Sequence, residues 1–212
     1  VWAATGVSID SRSVAKGDLF IALKGPSFDG HKFVADALKK GAAGALVHLP
    51  SGTDATLDSA EYHDRLIVVK DTFAALQDLA RAARARTNAK VVAVTGSVGK
   101  TSVTQAIKAG LDLAGPAHGS IKSYNNHIGV PLTLARMPVE TQRAVFEIGM
   151  NAPGEIAPLS RFVAPHAACV TTVGPVHIEA FADGEAGVAR EKATIFQGLV
   201  PGGAAVANGD VA

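Results

Sequence analysis

The sequence predicts an α/β protein made of a small α/β N-terminal domain and a second domain with a mainly parallel sheet. Three observations carry that prediction. Short β-branched runs alternate with Ala-rich helical stretches, the arrangement of strand–helix–strand crossovers. Aromatics are only 5% while Gly reaches 22 residues, so the core is built from Ala, Val, Ile and Leu with close helix–sheet contacts. The run VVAVT at 91–95 is continuously apolar, as in a central parallel strand buried on both faces, and it leads through a glycine turn into a helical stretch.

The elements follow in order. Residues 5–9 and 18–23 read as strands, 30–40 as a helix and 44–47 as a strand. The Ser-, Thr-, Asp- and Gly-rich stretch between Leu49 and Asp64 suits an exposed loop or an edge hairpin. Residues 66–70 form a further short strand. Asp71 stands where an N-cap is needed for a helix over 72–86, in which Phe73, Leu76, Leu79 and Ala83 keep helical spacing. Arg81, Arg84 and Arg86 in its last turn complement the helix dipole. A polar break at 87–90 marks the boundary, giving domains over 1–87 and 88–212. In the second domain 91–95, 144–148, 167–171 and 204–207 read as strands. Residues 100–113, 155–162 and 187–198 read as helices.

Composition excludes several classes of function. With 48% hydrophobic and 18% charged residues over 212 positions, the chain buries a sizeable core and is not disordered. A net charge of +1 is too balanced for a protein that wraps nucleic acid or lies on an anionic membrane. No apolar run approaches a bilayer-spanning length, and the first ten residues show no secretory signal pattern. The chain does not begin with Met, which points to residues upstream. Its one cysteine, Cys169, has no partner for an internal disulfide, and a reducing cytoplasm is the expected home. Lying in an apolar strand, Cys169 is expected to pack as a small hydrophobe.

The sharpest motif is Thr95-Gly96-Ser97-Val98-Gly99-Lys100-Thr101-Ser102, between a buried strand and a helix. Glycines let backbone N–H groups converge on phosphate oxygens, and the helix N-terminus adds its positive end. Lys100 then reaches the β/γ-phosphates and the Thr101 hydroxyl ligates Mg²⁺. Val94 stands where the standard pattern places a Gly, so the alternative is an ordinary glycine-rich turn. No Asn-Lys-x-Asp guanine-reading segment is present. The strand ending in Glu147 puts a carboxylate on the ligand-binding edge of a parallel sheet, where it holds Mg²⁺ with Thr101 or is simply a solvated strand-end acid.

The segments 95–102, Tyr124-Asn125-Asn126-His127-Ile128-Gly129-Val130-Pro131-Leu132-Thr133-Leu134 and Glu147-Ile148-Gly149-Met150-Asn151-Ala152-Pro153-Gly154-Glu155-Ile156 together resemble the Mur ligases, ATP-dependent amide-forming enzymes of peptidoglycan synthesis. Ser8-Ile9-Asp10-Ser11-Arg12, the stretch 17–25 and Phe28-Asp29-Gly30-His31-Lys32-Phe33 resemble the N-terminal signature of the branch that joins D-Ala-D-Ala to UDP-MurNAc-tripeptide. The resemblance runs in order from about Thr5 to Asp210. Many members carry Asn at the position of Val98, a backbone-cradling site that tolerates Val.

The resemblance implies a mechanism. ATP phosphorylates the terminal carboxylate of the tripeptide, and the amine of D-Ala-D-Ala attacks the acyl phosphate through a tetrahedral intermediate. Such crowding of negative oxygens needs cations more than a protein nucleophile, and Lys100 with two Mg²⁺ ions supplies them. By family register, Thr101, Glu147, His177 and Lys192 serve the metal, and Lys192 matches a helical lysine carried as a carbamate. The family usually has Glu two residues after that lysine, where this chain has Thr194. Read from its residues alone, His177 beside Pro and Gly is a loop hydrogen-bonding group, and Lys192 a solvated helix lysine. Asn125 and Asn126 either bind nucleotide or substrate, or cap the following turn. Ser11, Arg12, Lys24 and His31 lie in the segments that shape a UDP-sugar pocket, where an Arg fork suits a diphosphate. The Asp-Ser-Arg stretch equally fits an Asx-turn with a surface Arg.

By the same resemblance, residues 1–87 are the UDP-MurNAc-peptide-binding domain, and 88–212 are an ATP-binding central domain cut short before an absent C-terminal domain. The expected partners are the two small-molecule substrates, with no nucleic acid or stable membrane insertion, and the expected state is a monomer. Two rivals stand beside this reading. One is a fragment that binds nucleotide and UDP-sugar without turnover, and the other is a ligase of the folylpolyglutamate or cyanophycin type.

Overall fold

The computed structural model describes residues 2–49, 62–120, 124–176 and 178–209. Most of the polar stretch expected as a loop or hairpin, and His177, lie outside them. The chain divides into two compact units, Val1–Leu79 and Ala80–Ala212, so the division falls inside a helix.

The first unit holds β1 (Gly6–Ser8), β2 (Asp18–Ile21), α1 (Val34–Lys39), β3 (Gly44–Val47), β4 (Leu66–Val68) and the start of α2 (Thr72–Ala85). Its four strands run parallel in the order β1-β2-β3-β4. Phe20, Ala22, Val34, Leu38, Ala45 and Val47 form the core between the sheet and α1. Asp71 caps α2 as its position predicts, its Oδ1 accepting from Phe73 N–H at 2.8 Å and Ala74 N–H at 3.0 Å. The single helix expected over 30–40 is instead a 3₁₀ turn, Gly30–Phe33, followed by α1. Gly30 is pinned under the backbone of Leu23, where a Cβ would sit 2.7 Å from a carbonyl oxygen, and this holds the entry to the tighter turn.

The second unit holds β5 (Lys90–Thr95), α3 (Lys100–Leu113), β6 (Ala117–Gly119), α4 (Gly129–Ala135) and β7 (Arg143–Glu147). It continues with α5 (Ile156–Val163), β8 (Ala167–Val170), α6 (Gly184–Ala193) and β9 (Ala204–Ala207). The five strands are parallel in the order β6-β7-β5-β8-β9. The chain leaves β5 toward one side and returns across it to β8. This order opens a ligand crevice at the carboxyl ends of the central strands. Val91, Ala93, Val94, Ala144, Val145 and Phe146 are fully buried, as an inner parallel pair requires.

Four local expectations are corrected. β6 and α4 are elements that the sequence pattern does not announce. β6 is only three residues long, and α4 carries Gly129 and Pro131, which usually read as a loop. Pro is tolerated there because the first turn of a helix leaves its N–H groups unpaired anyway. The helix expected over 187–198 starts earlier and stops at Ala193, giving way to a 3₁₀ turn, Thr194–Gly198. Thr194 Oγ1 donates to the Glu191 carbonyl at 2.6 Å, and a Cβ on Gly198 would meet the Ser160 backbone at 2.3 Å. Arg84 stands in the last turn of α2 as expected, but its shorter hydrogen bonds, like that of Arg86, go to the ends of other helices. Arg84 donates to the Val163 and Ala164 carbonyls closing α5, and Arg86 to the Met137 carbonyl beyond α4. Cys169 is half-buried, because β8 alternates inward Ala168 and Val170 with the partly open face. Burial pushes its thiol pKa up.

Candidate functional site

The phosphate loop forms where β5 gives way to α3. Gly96 (φ +155°) and Gly99 (φ +84°) take backbone angles that L side chains rarely adopt. A Cβ on Gly96 would fall 1.9 Å from Thr171 Oγ1. The loop is latched to the segment that follows β8. Ser97 N–H donates to the Thr172 carbonyl at 2.8 Å, and Ser97 Oγ donates to the Gly174 carbonyl at 2.9 Å. The Val98 carbonyl accepts from the hydroxyls of Thr171 at 2.7 Å and Thr172 at 3.1 Å. The Val98 side chain itself stands exposed, so it contributes backbone rather than contact surface. Thr95 is fully buried beneath the loop, and its carbonyl takes Thr171 N–H at 2.9 Å.

Lys100 opens α3 with its Nζ donating to the Gly96 carbonyl at 2.8 Å and the Ser97 carbonyl at 3.3 Å. Thr101, one residue on, donates its hydroxyl to Glu147 Oε2 at 2.9 Å. Glu147 closes β7 and is 2% exposed. Its other oxygen, Oε1, accepts from Asn125 Nδ2 at 2.7 Å. The Asn125 carbonyl takes Gly149 N–H at 2.8 Å, so Asn125 holds both the carboxylate and the chain leaving β7. Asn126 has a different job. Its Oδ1 accepts from Ile128 N–H at 3.1 Å and Gly129 N–H at 2.9 Å, which caps the start of α4. The capping reading holds for Asn126, while Asn125 bonds Glu147 and the chain after β7; both asparagines line the same cavity.

That cavity, of about 120 Å³, is lined by Gly96, Ser97, Lys100, Asn125, Asn126, Gly149, Met150, Asn151, Glu155, Val176 and Lys192. Apart from Lys192 on α6, its residues come from segments that follow β5, β6, β7 and β8, the carboxyl edge of the sheet. Lys192 is 3% exposed, and its side chain forms no ion pair among the described residues. Burial, with the Lys100 ammonium nearby, pushes its pKa down to about 8, while Glu191 opposes the shift. Glu191 turns instead to α5, accepting from Gly154 N–H at 2.9 Å and Ile156 N–H at 3.0 Å.

The site offers a glycine loop at the start of α3 and two lysines, beside a hydroxyl–carboxylate pair. Mg²⁺ is commonly held by one or two carboxylates plus phosphate oxygens rather than by a closed protein cage. The buried Glu147 and the Thr101 hydroxyl, two hard oxygen donors on one side of the loop, fit that pattern. Among the sequence-singled residues, Gly96, Ser97, Lys100, Asn125, Asn126 and Lys192 meet at the cavity, with Thr101 and Glu147 joined beside it. Ser102 lies exposed on the first turn of α3. Thr171, Thr172 and Glu191 carry no sequence motif that points to the site. The signal that points to the two threonines is their place at a strand's carboxyl end, the rule that already drew attention to Glu147.

In the first unit Ser11 is buried and its carbonyl accepts from Lys40 Nζ at 3.1 Å. Arg12 pairs with Asp10 at 2.7 Å and holds the Asp10 carboxyl down at about 2. His31 Nε2 accepts from His48 N–H at 2.9 Å, which leaves the proton on Nδ1 to meet Asp29 Oδ1 at 2.6 Å. Lys24 stands 3.9 Å from the other Asp29 oxygen. Partial burial pushes the Asp29 carboxyl up, but the His31 bonds and Lys24 outweigh it and the net shift is downward.

Two family models match the chain. The Mur ligase middle domain matches residues 94–212, and the model described as Mur ligase family, catalytic domain, matches residues 3–84. The chain belongs to the Mur ligase family. Among curated relatives, it is 40% identical over 205 residues to the UDP-N-acetylmuramoyl-tripeptide–D-alanyl-D-alanine ligase of Bacillus subtilis, covering 97% of this chain and 43% of that protein. It is 42% identical over 204 residues to the ligase of the same name from Escherichia coli, covering 96% of this chain and 43% of that protein. A crystal structure of MurF from Acinetobacter baumannii superimposes with a TM-score of 0.80 at 36% identity, covering 95% of this chain and 42% of that one. The MurF ligase of Thermotoga maritima in complex with ADP gives 0.77 at 27% identity, covering 96% and 45%. The chain thus spans less than half the length of the relatives it matches.

Proposed function

We propose that this chain is part of an ATP-dependent ligase that joins D-Ala-D-Ala to UDP-MurNAc-tripeptide in peptidoglycan precursor synthesis. In this reading residues 1–87 bind the UDP-linked peptide and residues 88–212 bind ATP, working in the cytoplasm as a monomer. The observation that carries it is the meeting of Lys100, Lys192, Asn125 and the phosphate loop at one cavity, with Thr101 bonded to Glu147 beside it. The ADP-bound relative supports the nucleotide as ligand.

The chemistry follows from charge. The tripeptide carboxylate attacks the γ-phosphorus of ATP, ADP leaves, and an acyl phosphate forms. The amine then adds to the acyl carbon, loses a proton and expels phosphate, leaving an amide. Lys100 exchanges its loop carbonyls for β- and γ-phosphate oxygens, and the loop N–H groups bind the same oxygens. Thr101 and Glu147 would hold Mg²⁺, with His177 and Lys192 added by family register. An ion held there would neutralise charge on the transferring phosphoryl oxygens. Lys192 is suited to carbamylation, because burial favours its neutral amine, the form whose nitrogen adds to CO₂ with loss of a proton. Ser11, Arg12, Lys24 and His31 are assigned to the UDP-linked substrate.

Calorimetric titration with Mg·ATP tests the nucleotide site. Wild type binds, and Lys100→Ala loses more than roughly a hundredfold in affinity with its melting temperature nearly unchanged. Equal affinity in the two overturns the assignment. ATP-dependent phosphate release with UDP-MurNAc-tripeptide and D-Ala-D-Ala then tells whether these 212 residues turn over or only bind. Tight folate binding without affinity for the UDP-linked peptide would favour the folylpolyglutamate class instead.

A further inference from the structure

Glu191 has no part in the chemistry above, yet it is 8% exposed and adjoins Lys192 on α6. Successive residues of an α-helix project about 100° apart, so one turn serves a cavity with one side chain and its wall with the next. Lys192 lines the cavity. Glu191 reaches the wall, where its two oxygens accept from Gly154 N–H at 2.9 Å and Ile156 N–H at 3.0 Å. The first amide belongs to the turn that carries Asn151 and Glu155 to the cavity, and the second opens α5.

A helix that needs only a cap is usually served by the residue just before it. Here that residue, Glu155, makes no cap bond to α5 and folds back onto Asn151 N–H at 2.6 Å and Ala152 N–H at 3.3 Å. The cap arrives instead from 35 residues away, on the helix that carries the other side of the cavity. Both Glu191 oxygens are satisfied by the positive end of α5, which makes a buried carboxylate stable there. The tie therefore sets a spacing as well as closing a helix.

We propose that Glu191 is a positioning residue of the nucleotide cavity, holding the turn that bears Asn151 and Glu155 at a set distance from Lys192. The inference rests on the nucleotide reading given under Proposed function. Its test compares Mg·ATP titrations of wild type, Glu191→Gln and Arg84→Met, with amide exchange at Gly154 and Ile156. Gln offers one acceptor oxygen and one donor amide, so it satisfies only one of the two N–H groups. Arg84 grips the opposite end of α5 through the Val163 and Ala164 carbonyls, so its loss loosens the helix without touching the turn.

Both variants melt earlier than wild type, but only Glu191→Gln binds Mg·ATP more weakly, by roughly tenfold or more. Exchange at Gly154 and Ile156 accelerates in that variant alone. If Glu191→Gln exposes those amides and binds as wild type does, Glu191 is a helix cap only and the proposal falls. A wild type that does not bind Mg·ATP overturns the nucleotide reading itself and takes this inference with it. Should Glu191→Gln not fold, Glu191→Asp, one methylene shorter, is read by the same criteria.

Discussion

In the first unit Arg12, Lys24 and His31 each sit against an acid from their own stretch of chain, Asp10 or Asp29. In the second, Lys100 and Lys192 face one cavity and form no ion pair among the described residues. Both groups lie after parallel strands, so position on the fold does not separate them. Charge does. Two lysines at one cavity with no acid in ion-pair contact are costly until an anion arrives, which is the arrangement the proposed phosphate site needs. The first cluster is neutralised locally, and a ligand there has to compete with pairs already made. The contrast teaches that unneutralised, convergent charge locates a site more firmly than charged residues in a resembling segment.

The largest blow to the second unit's side of this contrast is a methyl group on the phosphate loop. Gly96→Ala adds a Cβ 1.9 Å from Thr171 Oγ1 and 3.1 Å from Thr172 N, at a φ of +155°. Thr171 cannot yield without releasing the Val98 carbonyl, so the loop deforms. The expected cost is roughly 2–4 kcal/mol of stability, with Mg·ATP binding reduced beyond about a hundredfold. Urea unfolding and calorimetry read the two effects separately. A variant that binds like wild type would show that the cavity does not depend on the loop's shape.

That loop was legible in the sequence because all its parts are contiguous: strand, glycines, lysine and helix in one stretch. The cap at Asp71 was legible for the same reason. What escaped was assembled across the chain. Glu191 meets Gly154, and Thr171 meets Val98, through strand order and helix packing that no local pattern encodes. α4 escaped because Gly129 and Pro131 mimic a loop, although a first-turn proline sacrifices nothing. Arg84 and Arg86 read as complementing the dipole of their own helix; their bonds to the carbonyls at the ends of α5 and α4 escaped, since spacing along one segment cannot say which other C-terminus is nearby.

The next test asks whether Lys192 is held as an uncompensated cation. Its pKa falls from 10.5 to about 8, so between those values the unfolded chain binds the proton and the folded chain does not. Stability therefore rises with pH from about 8 to 10.5, and below 8 the buried ammonium is a standing cost of up to roughly 3 kcal/mol. Lys192→Met removes both the cost and the rise. Urea unfolding in bicarbonate-free buffer should show the variant more stable at pH 7, with the difference closing by pH 10.5. A constant difference over that range would mean that the ammonium finds compensation, and the contrast between the units would lose its basis.

The smallest effect on stability is expected in the first unit. The Arg12 side chain is 86% exposed in its pair with Asp10, so the pair contributes about 0–1 kcal/mol. Arg12→Ala should leave the unfolding midpoint almost unchanged. If Arg12 serves a diphosphate, its guanidinium trades one carboxylate for phosphate oxygens in the same fork geometry. Losing that bond weakens binding of UDP-MurNAc-tripeptide by roughly tenfold, the yield of one hydrogen bond to a charged group less the pair given up. Titration of this chain with the UDP-linked peptide measures it, and salt sharpens the result, because both the pair and the diphosphate contact are exposed enough to be screened. Unchanged affinity would leave Arg12 as the surface arm of an Asx-turn and move the UDP assignment toward Lys24 and His31, whose shared acid, Asp29, also anchors the start of the 3₁₀ turn through His31 N–H at 3.0 Å.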